Sequence, residues 1–135
     1  MANKLTAKQR KWLEYMALKL ELHHDNGTRF DLGLWITDTA REDDWCGTKG
    51  CACGLATLDP TFTNAGFPKY LNWVEVHKFF KISYKQAEWL FSAESYKGET
   101  YGDKAARKVA RRIREFIASN GKVPNNFKSR IHVHI

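Results

Sequence analysis

The chain has 135 residues, with 22 Lys and Arg against 15 Asp and Glu, a formal net charge of +7 and an isoelectric point near 9.4. Hydrophobic content of 43%, including eight Phe, five Tyr and five Trp, excludes a disordered chain, and no apolar run approaches a membrane span in length. One domain, 1–135, accommodates this length, and the positive balance favours anionic partners over cationic ones.

In chain order, Thr6 and Gln9 have capping-box spacing, and Leu13, Met16, Ala17 and Leu20 then recur on one helical face. Asp25-Asn26-Gly27 ends that helix by turn chemistry. From Thr28 to Ile36 the apolar residues Phe30, Leu32, Leu34 and Ile36 alternate with others, which predicts a short strand weakened by Gly33. Cys46 to Ala56 gathers all three cysteines and three of the nine glycines in eleven residues, and predicts a tight turn feeding a short buried helix.

Asp59-Pro60 reads as an N-cap followed by proline at the first helical position, with Gly66 closing a short helix. Trp73–Phe80 is a further helix, and Ser83 with Gln86 opens the next, which runs to Phe91. Asp103 is expected to cap the last long helix, whose stripe of Ala106, Val109, Ala110, Ile113, Phe116 and Ile117 ends at Asn120-Gly121. Ile131–Ile135 alternates as a terminal strand that would pair near Phe30. The expected fold class is mainly α (α+β), a compact single-domain helical bundle with a small β element.

The chemistry-bearing residues concentrate in three places. Cys46, Cys51 and Cys53 are spaced Cys-x4-Cys-x-Cys, with His23, His24, His132 and His134 elsewhere, but the paired knuckles of a structural zinc site are missing. The bland alternative is thiols packed as small hydrophobes, so no metal or other cofactor is expected. Cys51 would lie near a helix N-terminus, where a thiol pKa falls. A phosphatase loop, however, requires Arg six residues after its cysteine, and Ala52 stands six after Cys46. Gly47, Thr48, Lys49 and Gly50 in the same turn are anion-binding candidates, offering backbone N–H groups, a hydroxyl and an ammonium.

The helical pair Trp73–Phe91 has the outline of a helix-turn-helix whose second helix would present Lys85 and Gln86 to DNA. His77 takes the position usually held by a small residue, and Lys81 that of the turn glycine, so a plain helical hairpin is preferred. Lys104 to Arg114 carries six positive charges and no negative one. Lys104, Lys108, Arg111 and Arg112 lie broadly opposite the apolar stripe, a face that is solvated or contacts a partner, with Tyr96 and Tyr101 upstream as exposed anchors.

The elements Cys46-Gly47-Thr48, Cys51, Gly54 and Ala56, followed by Pro60, Phe62, Gly66-Phe67 and Phe79-Phe80-Lys81-Ile82-Ser83 with Ala87, Leu90 and Phe91, resemble a group of small uncharacterised bacteriophage and bacterial proteins. That group shows a Cys-Gly-Thr-x-x-Cys-x-x-Gly-x-Ala motif, often with Gly where Lys81 stands and a residue other than Cys at Cys53. The resemblance covers about residues 30–118. It implies a phage-type accessory protein and transfers no catalytic residue. The expected function is therefore non-enzymatic binding of a host macromolecule or an anionic signalling molecule, such as a nucleotide or nucleic acid, in the bacterial cytoplasm and directed against host defence. The alternatives are a helix-turn-helix DNA-binding regulator and a thiol- or metal-dependent enzyme.

Overall fold

A computed structural model of the chain describes residues 4–24, 28–32, 36–38, 48–69 and 71–128. Among these residues the architecture is six α-helices and a small three-stranded sheet in the order α1 (Ala7–Leu22), β1 (Thr28–Phe30), β2 (Ile36–Asp38), β3 (Thr48–Gly50), α2 (Ala52–Ala56), α3 (Pro60–Asn64), α4 (Trp73–Phe80), α5 (Tyr84–Phe91) and α6 (Gly102–Ala118). A single 3-10 turn, Ala93–Ser95, lies between α5 and α6. Among the described residues no helix is long and apolar enough to cross a membrane.

Local chemistry explains most helix ends. Thr6 and Gln9 form the expected capping box, with Gln9 N–H donating to Thr6 Oγ1 at 3.1 Å and Thr6 N–H to Gln9 Oε1 at 2.6 Å. Ser83 and Gln86 repeat the device at α5, and Asp59 caps α3 with Pro60 at its first position. The cap of α6 differs from expectation. Tyr101 is its N-cap and makes no side-chain capping bond, while Asp103 lies inside the first turn, where a carboxylate still favours the positive end of the helix dipole.

The largest helix-to-helix contact joins α1 to α6. Leu13, Met16, Ala17 and Leu20 of α1 are buried, as are Ala105, Ala106, Val109, Ala110 and Ile113 of α6, and the alanines permit close approach. A second part of the core is aromatic. Phe62 on α3 is buried with the rings of Trp12, Tyr15 and Phe67 at 5.5, 5.0 and 5.3 Å, and so fastens the short helices to α1.

The β element departs from the single strand expected over 28–36. β3 is central, pairing parallel with β1 (Phe30 opposite Gly50) and antiparallel with β2 (Ile36 opposite Gly50). The alternating residues thus supply two strands on opposite sides of a partner that comes later in the chain. The cysteine segment feeds a short buried helix as expected, α2, but Thr48–Gly50 before it is extended rather than a tight turn, and Cys46 and Gly47 lie outside the described residues. The expected terminal strand at 131–135 and the turn at 25–27 lie outside the described residues.

Candidate functional site

The residues expected to bind a partner divide into those the fold brings together and those it disperses. Tyr96, Lys108, Arg111 and Arg112 line one open cleft of about 930 Å³, whose floor is α6 and whose walls are the 94–97 segment and the chain from Pro124 to Lys128. Trp89 and Phe127 also line it, and its charge comes from five cations (Lys97, Lys108, Arg111, Arg112, Lys128) and two carboxylates (Glu94, Glu115).

Arg112 is the centre of the cleft. Its guanidinium carbon lies 3.6 Å from the ring centroid of Trp89 and 3.7 Å from that of Tyr96, so it stacks on both. Nη1 donates to the carbonyls of Trp89 and Ser95 and to Ser95 Oγ, each at 2.9 Å. The Ser95 hydroxyl lies 2.8 Å from both the Trp89 and Ser92 carbonyls, which fixes the acceptors in turn. Among the described residues its bonds to the chain run through Nη1, Tyr96 also lies within reach, and no carboxylate pairs with it. Burial lowers its pKa, opposed by Tyr96 and by Glu115 at longer range, yet a guanidinium stays charged throughout the physiological range. The result is a rigid, half-buried cation whose Nε and Nη2 find no carbonyl or carboxylate acceptor among the described residues.

Around it, Lys108 Nζ donates to the carbonyls of Lys97 and Glu99 at 2.6 and 3.0 Å, closing the loop before α6. Lys97, Arg111 and Lys128 are exposed, and among the described residues their side chains form no ion pair. Phe127 packs against Trp89 with centroids 5.1 Å apart.

This geometry corrects several expectations. Tyr96 is no exposed anchor: it is 9% exposed, its hydroxyl donates to the Leu90 carbonyl at 2.5 Å, and burial raises its pKa. Lys108 and Arg112 are not simply a solvated face, because both satisfy backbone carbonyls. Gln86 is engaged within the fold, accepting from Ser83 N–H in the capping box and donating to the Gly121 carbonyl at 2.9 Å. Lys85, Tyr101 and Lys104 are exposed as expected but lie outside the cleft.

The helical pair does have a three-residue turn with Lys81 left-handed at φ 56°. His77 fits by turning its ring edge toward Tyr84 and donating from Nδ1 to the Ile82 carbonyl at 3.0 Å. The outer face of α5 is partly engaged, however, since Gln86 holds Gly121 and Trp89 lies under Arg112 and Phe127, which leaves Lys85 exposed.

The proposed anion turn loses its geometry. Gly47 lies outside the described residues, and Thr48, Lys49 and Gly50 form the central strand, where successive N–H groups point to opposite sides rather than converging. Cys46 also lies outside the described residues. Cys51 and Cys53 are buried, and Cys51 Sγ caps α2 by accepting from Gly54 N–H at 3.5 Å. The Cys53 thiol bonded to Cys51, helped by backbone N–H groups, holds Cys51 below the usual thiol range, whereas burial pushes Cys53 well up. Among the described residues no three His, Cys, Asp or Glu side chains gather as a metal site.

Trp89, Phe127, Lys97 and Lys128 were not apparent in the sequence as site residues, because their meeting depends on the 94–97 segment and the C-terminal chain folding back on α5 and α6. Comparison with protein-family models, with curated proteins and with solved structures finds no match for this chain.

Proposed function

We propose that this chain acts by binding rather than catalysis, and that it takes an anionic partner in the α6 cleft. The observation that carries this reading is Arg112, a guanidinium held against two rings and fixed through Nη1, whose Nε and Nη2 meet no carbonyl or carboxylate among the described residues. Freezing a side chain before binding removes an entropy cost on the order of 1 kcal/mol from association. A planar fork also suits phosphate and carboxylate oxygens. Exposed Lys97, Arg111 and Lys128 around it add attraction, and among the described residues none of them is in an ion pair. We take that partner to be a molecule of a bacterial host, a reading that rests on the phage-type resemblance alone.

The test is a titration with pyrophosphate followed by arginine side-chain Nε–Hε resonances in NMR. Saturable shifts are expected at Arg112, and they should weaken in Arg111→Glu and Lys128→Glu variants that melt like the parent. Shifts scattered over the surface, or unchanged in both variants, would refute the cleft.

A further inference from the structure

We infer that the anionic partner is a single-stranded nucleic acid, its phosphates on Lys97, Arg111, Arg112 and Lys128 and a base against Phe127; this rests on the anionic reading of the cleft given above.

Three features separate this ligand from other anions. The cations come from three chain segments along an opening of about 930 Å³, which suits a string of charges better than one compact anion. The same opening carries aromatic surface, and the half-buried ring of Phe127 is seated edge-on to Trp89 rather than enclosed in the core. Bases stack on such rings whatever their identity, whereas a phosphorylated peptide recognised by arginines has no need of them. Finally, the cleft is open, lined by the 94–97 and 124–128 segments together with α6. A flexible strand can enter it. A duplex keeps its base faces stacked inside and is read by an element placed in a groove, a role for which α5 offers exposed Lys85 while Gln86 and Trp89 are engaged with the rest of the fold.

The carboxylates Glu94 and Glu115 fit the same picture. They oppose uniform coating by anions and leave a path between charges of both signs, so the cations closest to Arg112 should matter more than Lys85 or Lys104, which lie elsewhere.

The experiment is fluorescence anisotropy with labelled oligothymidine of about 12 nucleotides, a length within the usual range of single-strand sites. The comparison probes are a duplex of equal length, a phosphoserine peptide and pyrophosphate. Oligothymidine should bind more tightly than the duplex, and its affinity should fall between about 50 and 200 mM salt. Arg111→Ala and Lys128→Ala should each reduce the log–log salt slope by about 0.7, the value for one lost contact to a single strand. Phe127→Leu, checked by thermal melting to retain the fold, should weaken binding about fivefold or more with the slope unchanged. Equal binding of duplex and single strand with Phe127→Leu silent, or preference for the phosphopeptide, would overturn the inference. If pyrophosphate shifts Arg112 while oligothymidine does not bind, the nucleic-acid inference falls and the anion reading stands; if neither probe engages the cleft, both fall.

Discussion

Tyr96 joins the stability of this protein to its cleft. Its ring forms one side of the Arg112 clamp, and its buried hydroxyl donates to the Leu90 carbonyl. Burial raises its pKa above the ordinary 10.0, with Arg112 acting in the opposite direction and losing. The folded state therefore keeps the phenol proton at a pH where the unfolded chain releases it. The contribution is complete below pH 10.0 and declines as pH rises from there toward the folded value. Tyr96→Phe should cost about 1 kcal/mol near neutrality through the lost hydrogen bond. Above pH 10.0 the gap between variant and parent should close, because Phe has nothing to ionise. Urea unfolding at neutral and alkaline pH measures both, and a gap that stays constant would show that the phenol does not titrate as its burial requires.

The α4–α5 hairpin turns on one unfavourable backbone angle. Lys81 is left-handed at φ 56°, a conformation that side chains resist and glycine accepts, and its N–H still closes α4 onto the carbonyls of His77 and Lys78. Lys81→Gly should stabilise the chain by about 0.5–1 kcal/mol, seen as a higher midpoint in chemical denaturation with the slope unchanged. A loss of stability would mean that the Lys81 stem contributes packing worth more than the strain. This turn was readable in advance, as were the two capping boxes and the stripes on α1 and α6, because each is written within a few consecutive residues. The strands were not. Three-residue strands carry almost no period of their own, and β3 is a strand only because β1 and β2 flank it. Arg112 was legible as a cation but not as a clamped one, since Trp89, Ser95 and Tyr96 reach it across a turn that no local spacing announces.

For the molecule as a whole, the α1–α6 seam is the principal structural joint. Ala110 is 1% exposed in α6, so a larger side chain there must displace packed neighbours. Ala110→Leu should therefore destabilise by about 1–3 kcal/mol, despite being more hydrophobic. Differential scanning calorimetry should show the midpoint falling by about 5 °C or more. An unchanged midpoint would imply that the two helices can separate to admit the side chain. The seam also has a consequence for how the protein is made. At about 5–20 residues per second, ribosomes finish α6 roughly 5–20 s after α1 has emerged. Throughout that interval the stripe of Leu13, Met16 and Leu20 lacks the surface it is shaped for. The nascent chain must shelter it in provisional contacts or with chaperones, and the final joint closes only once Ile113 and Phe116 have left the exit tunnel.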